Sequence, residues 1–155
     1  MSERLADRFK AARGAPIEVD GELVEMMHEL SSIETPTELR VEMVTSSSRP
    51  QGLRLKARDG DIALDEQVLD DVVLWSDTAP PLVIAELRPS TDKAMSLRVW
   101  NVWRDDAGTM QAWIGDAGLV AEDERSGTLT LRCSDGFDAP DFADLLVDLT
   151  LAPRR

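Results

Sequence analysis

A chain of 155 residues fits one ordinary domain, 1–155, and a hydrophobic content of 43% can bury a sizeable core, which separates it from a disordered chain. The 30 acids against 17 bases leave a formal charge of −13. Such a surface repels a phosphate backbone, so nucleic acid is excluded as a partner and a basic protein is favoured. Cys133 is the only cysteine, so no intrachain disulfide can form, which suits a reducing compartment. Met1 to Arg13 mixes charges with apolar residues, and no stretch approaches a membrane span. A cytoplasmic chain without membrane contact is expected.

Ser2 to Ala12 reads as a short helix, capped by Ser2, with Leu5 and Phe9 on one side and Gly14 to end it. Asp20 caps a second helix, in which Leu23, Met26, Met27 and Leu30 form an apolar face opposite Glu22, Glu25 and Glu29. Residues 1–34 are thus expected to be a helical segment that needs a surface to lie on, because short helices are marginal alone. From Thr37 the period changes to two. Leu39, Val41 and Met43 alternate with Arg40 and Glu42, and Leu53, Leu55 and Ala57 alternate with Arg54, Lys56 and Arg58. Asp59-Gly60 is a hairpin signal, with Ile62 and Leu64 starting the return.

Further strands are expected over residues 72–75, 82–87, 97–104, 110–114, 119–122 and 128–133, the last entered through a Ser126-Gly127 turn. The tail reads as a helical turn over 140–144 and then a strand in which Asp148 and Thr150 face outward. About eight to ten short strands across 37–152, at near-regular spacing, predict a mainly β fold. The architecture expected is a meander-rich antiparallel sandwich or barrel with the two N-terminal helices packed on it.

The phrase Trp-x-x-Asp-Ala-Gly begins at Trp103 and again at Trp113. Two copies are too few for a propeller or solenoid. Consecutive meander strands account for the echo, each closed by a turn in which Asp106 or Asp116 bonds backbone amides and Gly108 or Gly118 supplies positive φ. With a four-residue loop at 105–108, Arg104 pairs with Thr109, Val102 with Gln111 and Trp100 with Trp113. One face then carries Leu97, Val99, Trp103, Met110, Ala112 and Ile114, with Asn101 as a polar intruder, and is core. On the other, Trp100 and Trp113 lie side by side, ringed by Arg98, Arg104 and Gln111. Aromatic and arginine side chains supply much of the energy of buried contacts, so these five residues form a candidate binding platform. Large exposed apolar patches are rare on monomers, which favours cover of this face by Leu5, Phe9, Leu23, Met27 and Leu30 over an open platform. A one-residue slip would exchange the two faces.

The chain offers little for catalysis. His28, its only histidine, falls on the second helix one turn after Glu25 and reads as a surface residue. Cys133 alternates inward with Leu129 and Leu131, so no Ser-His-Asp or Cys-His arrangement is expected. One His and one Cys fall short of a zinc site. Asp135, Asp138, Asp141 and Asp144 recur every three residues, but Pro140 interrupts them and the spacing misses a calcium loop, which leaves turn and capping roles. No catalytic residue, metal or cofactor is expected. The function expected is a non-catalytic interaction domain, an acidic, soluble, inhibitor- or immunity-like module. Its partner would be a protein, a basic one above all, or a second copy in a homodimer. A carbohydrate- or small-ligand-binding sandwich is the alternative, since indole faces stack on sugar rings. A hydrolase relying on carboxylates alone ranks below both.

Overall fold

The computed structural model describes residues 4–125, 127–137 and 139–153. One helix opens the chain, α1 (Leu5–Ala11). The strands are β1 (Ile17–Val19), β2 (Glu22–Val24), β3 (His28–Ile33), β4 (Thr37–Thr45), β5 (Gln51–Arg58), β6 (Gly60–Leu64) and β7 (Gln67–Leu69), then β8 (Asp71–Trp75), β9 (Leu82–Pro89), β10 (Met95–Arg104), β11 (Met110–Gln111), β12 (Gly118–Arg125), β13 (Thr128–Ser134) and β14 (Leu145–Pro153). A seven-stranded sheet runs β12-β13-β14-β4-β9-β6-β7. A smaller sheet runs β11-β10-β5-β8, with β3 also bonded to β10. Every pairing is antiparallel, and neither sheet closes on itself, so the barrel alternative is set aside.

Period-two alternation builds the core. Leu39, Val41, Leu131, Val147 and Leu87 point in from the larger sheet, and Leu53, Leu55, Leu97 and Val99 from the smaller, into one shared cluster. All nine are essentially solvent-free, and each buried leucine or valine contributes about 1.5–3 kcal/mol relative to exposure. Asp148 is exposed and Thr150 half-buried on the outer side of β14, as the alternation requires. Cys133 is buried among the inward leucines. Loss of hydration pushes its thiol pKa up, with nearby Asp144 adding to the rise.

The N-terminal segment corrects the expectation of a second helix. Val19 pairs with Glu22, and the intervening Asp20 and Gly21 take φ of 51° and 84°, both positive as a type I′ hairpin requires. The helical stripe is broken accordingly: Leu23 is 60% exposed while its neighbour Val24 is solvent-free. A mid-helix glycine would cost about 1 kcal/mol, whereas here it closes a hairpin whose continuation, Glu25, bridges to Leu119 of β12. His28 therefore starts a strand, not a helical turn, although Nδ1 still lies 3.0 Å from Glu25 Oε1. Helix α1 and the β1–β2 hairpin cover the outer face of the larger sheet near β12, in a second cluster of Leu5, Phe9, Ile17, Val24, Val120 and Phe142. They do not lie on the tryptophan face.

Asp59-Gly60 is also not a hairpin. Arg58 pairs with Ser96 in the smaller sheet, while Gly60 pairs with Pro89 in the larger one. The chain changes sheets there, and a Cβ on Gly60 would sit 2.7 Å from Arg88 O. Ile62 and Leu64 pair with β7, through a true two-residue turn at Asp65-Glu66. Residues 140–144 form no helical turn; Asp141 accepts the Ala143 N–H, and Phe142 has φ 55°. The roles expected of Ser2, Ser126 and Asp138 lie outside the described residues. Among the remaining aspartates of that series, Asp135 accepts the Phe137 N–H and Asp144 the Asp135 N–H, which are turn and loop roles.

The two Asp-Ala-Gly copies are not equivalent. Gly108 has φ 81°, but Gly118 lies within β12 and is not left-handed; Gly115, with φ 59°, takes that part. Asp116 bonds no amide in its own turn. Its Oδ1 accepts the Leu5 N–H at 3.0 Å while Gly115 O accepts that of Ala6 at 2.9 Å, so this loop caps α1 from across the chain. A Cβ on Gly115 would stand 2.3 Å from Gly136 O. Gly115→Ala is therefore expected to destabilise the fold by about 2 kcal/mol or more, from left-handed strain plus backbone collision, as read by denaturant unfolding. A midpoint like the wild type's would show that the two loops are not pressed together.

Candidate functional site

The smaller sheet presents an outer face that neither α1 nor the hairpin covers. Register places its side chains in rows. Trp75, Gly52 and Val102 form one row across β8, β5 and β10, and Val73, Arg54 and Trp100 form the next. Asp71, Lys56, Arg98 and Glu29 form a third. Val102 has no solvent exposure and Trp100 only 5%, although register sets both on the outer face, opposite Gly52 and Arg54, where they extend the same apolar cluster. Something must lie over them.

Two indoles do. Trp113 stacks on Trp100 with ring centroids 5.0 Å apart and planes tilted by 32°, a geometry worth about 0.5–1.5 kcal/mol beyond area burial. From the other side Trp75 lies across Gly52, where a Cβ would meet the indole at 2.9 Å. The glycine in the alternating run of β5 is thus the space the ring occupies. Arginines finish the roof. The Arg104 guanidinium stands 4.1 Å from the Trp75 ring centroid, and that of Arg54 lies 5.4 Å from Trp100. Arg54 is fixed by a two-pronged bond to Asp71, at 2.9 and 2.7 Å. Arg104 reaches Asp77 at 3.6 Å, and exposed Arg98 reaches Glu29 at 3.5 Å.

Trp100 and Trp113 therefore meet, but by a different route from the expected pairing. Arg104 pairs with Met110 and Trp103 with Gln111, one residue off the expected register. Asp105 causes the slip. Its carboxylate accepts the Ala107 and Thr109 N–H groups at 2.9 Å each and the Gln111 side-chain amide at 3.0 Å, closing a five-residue loop over 105–109. These bonds hold the Asp105 carboxyl below the usual carboxylate range. Gln111 is thereby drawn to the Trp103 side of the ribbon, away from the indole pair. Met110 and Ile114, expected in the core, are 41% and 50% exposed. Trp113 still returns to Trp100 because β11 ends at Gln111 and Trp113 itself takes φ 59°. Its indole N–H donates to Met26 O at 3.0 Å. Of the sequence-derived set, Trp100, Trp113, Arg98 and Arg104 share the face. Trp75 and Arg54 were missed; the one signal for them was a glycine inside a clean strand pattern.

The other end of β10 is core, as expected for Trp103, which is solvent-free and edge-on to Phe137 at 6.4 Å. Asn101, the polar intruder, is satisfied by donating to Ser134 O at 2.9 Å. His28 lines a small cleft of about 150 Å³ with Leu30, Thr128, Leu149 and Leu151, between β3 and the larger sheet.

Gly52→Ala is expected to displace the Trp75 ring and destabilise by about 1–3 kcal/mol. A changed tryptophan emission and a lowered unfolding midpoint would register it. The Arg54 bonds hold the Asp71 carboxyl below its ordinary value. Its stabilising contribution is therefore complete above the unfolded carboxylate value of about 3.9 and fades as pH falls through the lower folded value. Asp71→Asn should cost about 0.5–1 kcal/mol at neutral pH, since the pair is partly exposed, and the gap from wild type should narrow as pH falls below the unfolded carboxylate value of about 3.9. Denaturant midpoints across that range check it.

No family model, curated protein or solved structure matches the chain, so the functional reading rests on this geometry.

Proposed function

We propose that this chain is a non-catalytic interaction domain that meets a protein partner through the aromatic and arginine face of its smaller sheet. The observation that carries the reading is the roof itself: Trp75, Trp100 and Trp113 interleaved with Arg54 and Arg104 on a sheet face that no helix or strand among the described residues covers. Tryptophan and arginine are the residue types that dominate binding energy at protein interfaces, and they do so when clustered and already packed. Trp113 retains 37% of its surface, with exposed Met110 beside the Arg104 row, so the rim still has apolar area to lose to a partner. Net charge of −13 favours a basic protein over a second copy of this acidic chain. A sugar ligand is less well served, because the Trp100 ring is spent on its neighbours instead of standing open for stacking. A cytoplasmic setting belongs to the same reading and is supported by the free, buried Cys133. Among the described residues no helix is long and apolar enough to cross a membrane.

The test uses Trp113→Ala and Arg104→Ala, both at partly exposed positions, so each variant should remain folded by circular dichroism. Proteins captured by the immobilised wild type should be lost with both variants, and a purified partner should bind at least about 2 kcal/mol more weakly to Trp113→Ala. Unchanged capture and affinity in both folded variants would remove this face from the function.

A further inference from the structure

The sandwich has several strand edges, and among the described residues β8 is the least guarded. β7 has only three residues and β11 two. β3 is broken by a register shift opposite Met95/Leu97 and by Ser32 at φ 61°. β12 carries a register shift between Asp123 and Arg125 and is bridged by Glu25. Short length, bulges and covering segments are the usual ways in which sheets avoid pairing with other chains. β8 has no bulge and runs five residues; its guard is confined to the C-terminal end, where Trp75 O accepts the Thr78 and Ala79 N–H groups at 3.2 and 2.8 Å. It closes the smaller sheet, pairs regularly with β5 alone, and after Asp71 reads Val-Val-Leu-Trp with no charge and no proline.

The phase of that edge follows from the ladder. Ala57 N–H donates to Asp70 O and Ser76 N–H to Gln51 O, so residues 70, 72, 74 and 76 face β5. Asp71, Val73 and Trp75 therefore turn their backbone groups outward, and because the Trp75 carbonyl is taken by Thr78 and Ala79, the pairing edge centres on Val73. Beneath the edge lies a cleft of about 370 Å³ lined by Leu64, Asp65, Leu74, Ala79, Pro80 and Leu82. Arg54 and Lys56 stand beside Asp71 on the β5 side, and the charges at the open side are acidic. Asp65, Glu66 and Asp70 are exposed and have no ion pair among the described residues.

We propose that β8 is a strand-addition site for an extended segment of a partner protein, apolar at alternate positions and flanked by lysine or arginine. Main-chain bonds to Val73 would supply the pairing. One set of alternate side chains would enter the cleft, and the flanking cations would meet Asp65 and Asp70. This is the recognition mode in which backbone gives affinity and side-chain pockets give selectivity. A second copy is the disfavoured occupant, because two chains of charge −13 repel. The proposal rests on the reading of the chain as an interaction domain and uses the backbone edge of the strand that carries Trp75, which borders the indole roof.

The probes are acetylated, amidated peptides Lys-Val-Thr-X-Thr-Val-Lys with X as Ala, Val, Leu or Phe. Each is made unmodified and with alternate amides N-methylated along one edge or the other. Binding is read by fluorescence polarisation on the full chain. Expected are saturable binding weakened by salt, loss on N-methylation of one edge only, and weakening of about tenfold or more in Val73→Pro. That proline removes an outward N–H and leaves the β5 ladder intact. If Val73→Pro fails to fold, the N-methylated pair carries the test. Glutamate in place of the flanking lysines should also weaken binding. The absence of saturable binding by every peptide overturns the proposal, as does equal binding by both N-methylated forms or by folded Val73→Pro. Sedimentation showing a dimer of the free chain that Val73→Pro abolishes would transfer the edge to a second copy and overturn it too. Trp113→Ala should leave peptide binding unchanged, so failure of the edge and failure of the indole face are read separately.

Discussion

β10 is buried on both sides, and most of the architecture answers to that fact. Every residue from Val99 to Trp103 is withdrawn from water. Leu97 and Val99 are dry because the larger sheet faces them across the shared core. Trp100 and Val102 point the other way, where no second layer exists. A half-buried antiparallel strand would carry polar residues at those positions. Here the outer face is made dry locally, by folding one indole over it from β8 and another from the loop after β11. The aromatic roof is thus first a solution to a packing problem. It becomes a candidate contact surface because the solution uses tryptophan and arginine rim residues instead of a helix.

The ion pairs sort the surface in a consistent way. Arg54 is taken by Asp71, Arg98 by Glu29, Arg104 by Asp77, and Arg132 by Glu22 and Glu122. Exposed pairs of this kind add little stability individually. Their larger effect is on what remains. With 30 acids and 17 bases, pairing off arginines leaves the surplus charge almost wholly carboxylate. That surplus includes the tip of the β6–β7 turn and the residue before β8, which is where an approaching cationic segment would feel it most.

How much of this was readable in one dimension differs by region, for physical reasons. From Thr37 onward, alternation exposed most of the strands because one face of each is dry, though not the three-residue β7, and the inward set of β10 was correct from Leu97 on but omitted the buried Met95. The segment over 17–33 misled because Leu23, Met26, Met27 and Leu30 satisfy a helical period while Asp20-Gly21 satisfies a hairpin. Backbone partners on β10 and β12, which are distant in sequence, decided between them. The same dipeptide at Asp59-Gly60 signalled a hairpin and made a corner between sheets, since turn chemistry specifies a local reversal and not which sheet receives the next strand. Five loop residues instead of four displaced Gln111, because Asp105 organises the loop through its side chain. Trp75 could not be placed in the row of Val102 and against Arg104 without the strand order, for β8 and β10 never pair. They are joined through β5, and only Gly52 hinted that something large crosses it.

The indole face is also held in place before any partner arrives. Trp113 is fixed by its ring on Trp100, by its N–H on Met26 O and by the chain on its C-terminal side, where Gly115 presses on Gly136 and Asp116 caps α1. Gly136 in turn lies against the Trp103 ring at the end of β10. The loop that carries the exposed indole is therefore clamped between the N-terminal helix and the dry end of the central strand. Association costs part of its energy in ordering side chains and loops, and a clamped aromatic has little left to order. That separates Trp113 from an incidental surface tryptophan: its conformation is strained at the backbone, satisfied at the nitrogen and supported on both sides, so what free surface it keeps is presented in one orientation.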